Sequence, residues 1–269
     1  MSSHQSGDEN WSDCEPEYEL ETFTIQDYNF HLLTVVPPPL EYMSRLHSNQ
    51  QEISGRQVWC GSVLLCKYML TNPSIVRDKR ILELGSGTGI VGVLASKLVS
   101  DSAKCVCLTD GDTVAVGLLM QNLSNLDNRV DRSICNGRHL LWGCGTEEEK
   151  QRNASFEQWC KEKWPNLPWN SDEEGDDVKF DLILAGDVLY KPFLPALFFS
   201  TVNRYLSRDG ELYLCHIPRN HVYHKLVVDA ATQAGFSVEK LQVDIKELPD
   251  GCPLPDAETA VIYRIRRNT

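Results

Sequence analysis

The stretch Arg80-Ile-Leu-Glu-Leu84 runs straight into Gly85-Ser-Gly87-Thr-Gly89, after which Ile90, Val93, Leu94 and Leu98 recur at helical spacing. The short apolar run reads as a buried strand, and the 3–4 spacing reads as one face of a helix. Glycines between them let the backbone take φ > 0 and come close to a ligand. Strand, glycine turn and helix in that order open a parallel α/β unit. In such sheets the ligand site lies at the carboxyl ends of the strands. An all-helical or all-β chain is thereby excluded.

The loop also narrows the ligand. Gly87, Gly89 and Gly92 match G-x-G-x-x-G, the dinucleotide pattern. The register disfavours that ligand, because the first glycine after the strand is Gly85, giving G-x-G-x-G. Glu83 stands two residues before the loop, where a carboxylate suits a cationic ligand better than a pyrophosphate. S-adenosylmethionine carries an ammonium and a sulfonium and no phosphate. A P-loop is excluded, since no Gly-Lys-Ser or Gly-Lys-Thr occurs.

The alternation continues on both sides of this unit. Tyr18–Val36 reads as a β-hairpin that Pro37-Pro38-Pro39 ends, and a helix is expected over about 58–70. Lys104–Thr109 is a second strand. A helix capped by Asp112 and marked by Ala115, Leu118, Leu119 and Leu126 follows it. Arg132–Cys135 is expected as a third strand and Phe180–Ala185 as a buried fourth. Leu194, Leu197, Phe198, Thr201, Val202 and Tyr205 mark a helix. Strand Glu211–Ile217 precedes a helix from near Asn220 to Gly235, and Ser237–Ile245 and Ala260–Arg266 are expected to pair antiparallel. The sum is a Rossmann-like, doubly wound α/β sheet of about seven strands with an N-terminal hairpin extension.

Charge is uneven along the chain. The formal net charge is −12, but residues 1–19 hold six acids and no Lys or Arg. Residues 144–179 hold ten acids against five bases. The body that remains is almost neutral, so it offers no basic stripe to a nucleic acid or an anionic membrane. No apolar run reaches the ~20 residues of a membrane span. An acidic tail over 1–17 is expected to be disordered, with one domain over 18–269 and an acidic insert at about 144–179. A short helix is expected near 155–164, and Trp159 or Trp164 reads either as an exposed apolar anchor for a basic substrate or as tucked into the body beside a solvated loop. Cys60, Cys66, Cys105, Cys107 and Cys215 lie in apolar segments and read as reduced, buried residues of a reducing compartment. No C-x-x-C or other metal-ligand spacing is present, so no metal is expected.

Six further positions carry chemistry. Asp110 ends the second strand, where an acid can accept from ribose hydroxyls. Asp187 and Tyr190 follow the fourth strand beside the switch point. Trp59 and Trp142 can cover an adenine or wall a channel. Arg219, after the fifth strand, either contacts substrate or caps a turn.

Glu83-Leu-Gly-Ser-Gly-Thr-Gly89, the Val58-Trp59 before it, Leu141-Trp142-Gly143 and the Asp-x-x-Tyr of Asp187 to Tyr190 resemble the seven-β-strand protein-lysine methyltransferases that modify calmodulin, chaperones and elongation factors. The resemblance spans Tyr18 to Arg267 and implies the class I methyltransferase fold. It implies that Trp59, Gly85, Ser86, Gly87, Asp110, Trp142 and Gly186 contact S-adenosylmethionine, with Glu83 orienting the loop and the methionine end. It also implies that Asp187 and Tyr190 line the channel for a lysine of a protein substrate. Gly186 stands where alanine is commoner in that family. Histidine or arginine methylation, or an inactive adaptor of the same fold, are the alternatives. A base-amino methyltransferase is disfavoured, because Asp187-Val-Leu-Tyr190 replaces Asn/Asp-Pro-Pro-Tyr. A monomer in the cytoplasm, with the nucleus also open, is expected.

Overall fold

The computed structural model describes residues 16–36, 54–99, 104–169, 177–246, 248 and 254–268. The tail expected to be disordered, the proline run and residues 171–176 of the acidic run lie outside them, apart from Pro16 and Glu17. Glu17 already belongs to the hairpin, accepting from Val36 N–H at 2.8 Å.

Strands β1 (Tyr18–Ile25) and β2 (Tyr28–Val35) form that hairpin. Helix α1 (Cys60–Thr71) precedes the core alternation. This runs β3 (Arg80–Leu84), α2 (Ile90–Leu98), β4 (Cys105–Asp110), α3 (Thr113–Ser124) and β5 (Cys135–His139). The second half holds α4 (Glu147–Lys163), β6 (Phe180–Gly186), α5 (Leu194–Tyr205), β7 (Leu206–His216) and α6 (His224–Gln233). It ends with β8 (Phe236–Leu241), α7 (Leu254–Thr259) and β9 (Val261–Arg267).

The large sheet has the order β5-β4-β3-β6-β7-β9-β8. The first five of these strands are parallel, while β9 pairs antiparallel with both β7 and β8. The order reverses between β3 and β6, which creates the crevice at their carboxyl ends. Both faces are covered. On one, Ile81, Val106 and Leu184 pack with α1, α2 and the hairpin. On the other, Leu82, Cys107, Ile183 and Leu214 pack with α4, α5 and α6. The period of two along β4 puts Cys105 and Cys107 on the same face.

Several boundaries differ from the sequence reading, each for a local reason. Leu126 is 90% exposed in a 3₁₀ turn beyond α3, because the chain turns after Ser124. Residues 131–134 form a turn in which Asp131 accepts from Ser133 N–H at 2.8 Å, so the third strand starts at Cys135. Helix α4 begins at Glu147 rather than near 155. A capping box between Thr146 and Glu149 nucleates it. Glu147–Lys150 and Glu148–Arg152 pairs then line its polar first turns. Asn220 and His221 take φ of 49° and 66°, which no right-handed helix allows, so α6 starts at His224. Trp164 and Trp169 are buried and the half-buried Trp159 packs against Phe156 and Trp164, so of the two readings the tryptophans tucked into the body hold, and neither Trp159 nor Trp164 is an exposed anchor. Cys66, Cys105, Cys107 and Cys215 are free and buried, but Cys60 is disulfide-bonded, against the expectation of a thiol.

Candidate active site

A cavity of about 720 Å³ opens at the carboxyl ends of β4, β3, β6 and β7. Trp59, Gly85, Ser86, Gly87 and Asp110 line it. So do Trp142, Gly186, Asp187 and Tyr190. Nine of the ten sequence-derived positions therefore meet around one space. Glu83 is the exception. It is buried beneath the loop, its Oε2 without a hydrogen-bond partner, and does not line the cavity. As a strand residue its side chain is directed across the sheet toward α2, not along the strand axis into the crevice.

The β4 side of the cavity is built by the loop. Gly85 and Gly87 have φ of 72° and 52°. A Cβ on Gly87 would stand 3.0 Å from the Gly55 carbonyl oxygen. Ser86 N–H donates to the Thr109 carbonyl at 2.8 Å, tying the loop to β4. Asp110 Oδ2 accepts from Gly87 N–H at 2.9 Å, and Oδ1 accepts from Asp112 N–H at 2.9 Å. Each carboxylate oxygen has a second lone pair, so Asp110 can still accept from a diol. Burial raises its pKa, and these backbone donors pull it back down. Trp142 meets Phe198 edge to face at 5.1 Å and forms an apolar wall.

The β6 side carries the second constellation. Asp187 lies just past β6 at φ 59°, a left-handed backbone that costs a non-glycine residue of the order of 1–3 kcal/mol. Its N–H still reaches the Cys215 carbonyl at 2.8 Å, continuing the ladder. The backbone N–H groups of Gly61, in the first turn of α1, and of Ile217 act on its carboxylate to pull its pKa down. Burial pushes the Asp187 pKa up to about 6, against the opposing pull of Arg219. Arg219 Nη2 lies 2.6 Å from Asp187 Oδ2, and its guanidinium carbon lies 5.1 Å from the Trp59 ring centre. Ser54 Oγ donates to Tyr190 Oη at 3.1 Å, and Trp59 Nε1 donates to the Ser54 carbonyl at 2.6 Å. Segment 54–59 thus straps the crevice between the glycine loop and Tyr190.

Gly186 is explained by α1. A Cβ there would stand 2.7 Å from both Cα and Oγ of Ser62, so the commoner alanine has no room. Sequence reasoning gave Arg219 two roles and missed Ser54 and Gly55 entirely. Their only signal was proximity in sequence to Trp59.

The lining fits S-adenosylmethionine better than a nucleotide phosphate. Asp110, Asp112 and Asp187 face the space, and the glycine loop offers no lysine to a pyrophosphate. Among the described residues no cluster of His, Cys, Asp and Glu could hold a metal ion, and no helix is long and apolar enough to cross a membrane.

Comparison with known proteins bears on these features. Residues 42–158 match the lysine methyltransferase family model. A protein-lysine N-methyltransferase, EFM3, of Chaetomium thermophilum is 27% identical over 207 residues, covering 75% of this chain and 51% of that protein. A protein N-terminal and lysine N-methyltransferase, EFM7, of Kluyveromyces lactis is 25% identical, covering 77% of this chain and 73% of that one. The chain spans about half or less of the length of several curated relatives it matches. A solved chain assigned to the methyltransferases and complexed with SAH has a TM-score of 0.51 at 9% identity, covering 88% of this chain and 53% of that one. That likeness is one of fold.

Proposed function

We propose that this chain, matched to the lysine methyltransferase family over residues 42–158, transfers a methyl group from S-adenosylmethionine to a lysine side chain of a protein substrate. One observation carries the reading. The glycine loop and Asp110 at β4, and Asp187 with Tyr190 at β6, line one continuous cavity across the switch point. A donor on one side and an acceptor on the other would meet there.

When bound, S-adenosylmethionine supplies an electrophilic methyl group on a sulfonium. Asp110 would hold its ribose hydroxyls, Gly85–Gly87 would let the backbone reach it, and Trp142 would cover an apolar face. The acceptor ammonium must lose one proton to solvent before its lone pair can attack. That lone pair would take up the methyl group and the nitrogen would then carry the positive charge, the neutral thioether being the leaving group. Asp187 would hold the nitrogen and stabilise the cationic product. With a pKa near 6 it is too weak a base to deprotonate an alkylammonium by itself. Tyr190, tied to Ser54, would fix the angle of approach. Alignment of this kind can supply ~7 kcal/mol or more of the barrier. In this reading the acceptor is a protein, the enzyme acts as a monomer without nucleic acid or membrane, and it works in the cytoplasm or nucleus.

The test is calorimetric titration with S-adenosylmethionine, followed by radiolabelled methyl transfer into lysate lacking the enzyme and mass spectrometry of the labelled site. Gly87→Arg places a side chain where even a Cβ meets Gly55, so cofactor binding should vanish while the fold survives. Normal binding by that variant, or label on a residue type other than lysine, would refute the reading.

A further inference from the structure

We propose that Arg219 is a resident placeholder for the acceptor cation. In the resting protein its guanidinium fills the seat between the Asp187 carboxylate and the Trp59 indole, and an incoming lysine ammonium displaces it. The inference rests on Asp187 as the acceptor-holding carboxylate and adds what occupies that carboxylate before substrate arrives.

The seat suits a cation of either kind. A carboxylate on one side and an aromatic face on another is the arrangement that binds an ammonium or a guanidinium. Arg219, Asp187 and Trp59 all line the cavity, so the ion pair stands inside the acceptor site and not behind it. While Arg219 Nη2 lies 2.6 Å from Asp187 Oδ2, an incoming ammonium has to share that oxygen with a like charge, which repels it.

The guanidinium is also held in a way that lets it leave. Its hydrogen bond to Asp187 runs through Nη2, and its buried Nε has no hydrogen-bond partner. A bidentate fork is the strong mode for such a pair, and this is a weaker one. Asp256 Oδ2 lies 3.7 Å from the same Nη2, with a side chain 43% exposed. A displaced Arg219 can move toward it and keep a counter-charge at the edge of the cavity.

Its backbone is fixed, which confines the motion to the side chain. Val222 N–H donates to the Arg219 carbonyl at 2.9 Å across Asn220 and His221, both left-handed. Positive φ at both central positions defines a tight type I′ turn. From below, buried His216 Nε2 lies 3.1 Å from the Val222 carbonyl and pins the turn to β7. The turn presents Arg219 as a rigid mount presents a swinging arm.

The consequence is selectivity. A neutral side chain gains nothing by displacing a guanidinium from Asp187, whereas an ammonium replaces one cation by another.

The test uses n-butylammonium as the lysine side-chain probe, titrated into the full chain. The readout is the Trp59 indole Nε1–H resonance, assigned with Trp59→Phe. Arg219→Gln should bind the amine at least five-fold more tightly than wild type, and Asp187→Asn should abolish binding in either background. Neutral n-butanol should shift nothing. In wild type, the Arg219 guanidinium resonance should move as the amine saturates. Arg219→Met, which keeps packing on Trp59 without a hydrogen-bonding head, should repeat the Arg219→Gln result should that variant fold poorly. Equal or weaker amine binding in both variants would overturn the proposal and make Arg219 a structural partner or a direct substrate ligand. Absent S-adenosylmethionine binding by wild type would refute the function proposed above, and the amine competition is read independently of it.

Discussion

Glu83 shows what a single residue's place in a motif can and cannot say. Its position two residues before Gly85 marks the loop, and from sequence it reads as facing the ligand. The strand period decides otherwise. Its neighbours Leu82 and Leu84 face the α4–α6 side, so Glu83 is directed to the other face, under α2. Gly92 is what admits it there, since a Cβ at Gly92 would stand 2.7 Å from Glu83 Oε2. Burial pushes the Glu83 pKa up to about 8, with Ser86 and the Gly92 N–H pulling it partly back. At neutral pH the folded state therefore holds a proton that the unfolded chain has released. The stability tied to that proton is full below the ordinary carboxyl pKa near 4.5, falls as pH rises toward 8, and is gone above it. Glu83→Gln cannot ionise and should be free of this slope. Between pH 5 and 8 the wild type should lose on the order of a few kcal/mol relative to the variant. Thermal melts of both proteins at four or five pH values would check it, and parallel curves would show that Glu83 is ionised in its pocket.

At the scale of elements, the alternation of strands and helices was legible and the joints between them were not. β3 falls on the residues expected, because an apolar run bounded by Lys79 and Gly85 has little freedom of register. The hairpin was equally plain, yet nothing local showed how it is mounted. Two asparagines do this, Asn122 in the last turn of α3 and Asn128 in the 3₁₀ turn beyond it. Leu33 N–H donates to Asn122 Oδ1 at 2.7 Å, and His31 N–H donates to Asn128 Oδ1 at 2.8 Å. Asn122 Nδ2 donates to the Leu33 carbonyl at 3.2 Å and to the Thr88 carbonyl in the glycine loop at 2.9 Å. The side-chain amides thus replace a neighbouring strand for β2, across separations of 89 and 97 residues that no periodicity reports. Asn122→Ala would leave the Leu33 N–H and C=O and the Thr88 carbonyl without this partner. Each buried unpaired group costs about 1–3 kcal/mol, so a loss of about 3 kcal/mol is expected. Thr88 adjoins Gly87, so the dissociation constant for S-adenosylmethionine should rise several-fold as well. Denaturant unfolding and calorimetry separate the two effects. Lost stability with an unchanged dissociation constant would confine Asn122 to holding the hairpin.

Over the whole molecule, charge alone suggested an acidic insert that stands apart from a neutral body. The aromatic residues reverse that picture. From α4 the chain passes Trp164, whose Nε1 donates to the Ser133 carbonyl at 2.9 Å, and reaches Trp169. Trp169 then meets Phe180 of β6 edge to face at 5.6 Å. Arg80 at the start of β3 donates to the Pro168 and Trp169 carbonyls and pairs with Asp181 Oδ1 at 2.6 Å. The strand that leads into the glycine loop therefore also clamps the return of the insert. Most polar letters of α4 lie on its outer side, Asn153 and Glu157 being the buried exceptions that bond Tyr205 and Arg204, while Phe156 and Cys160, with Trp164 just past the helix, join the core beneath α5. Composition could not separate these faces, because the acids outnumber the core residues in that window. Trp164→Ala should then behave as a core truncation, costing ~3–5 kcal/mol. For a domain of this size that corresponds to roughly 6–20 °C in Tm. The loss should appear in a single cooperative transition, followed by circular dichroism at 222 nm and by tryptophan fluorescence together. Cofactor affinity measured well below the transition should hardly change, since Trp164 does not line the cavity. An unchanged Tm, or a separate early transition for the insert, would show that α4 is peripheral to the core and return it to the role of an independent docking arm.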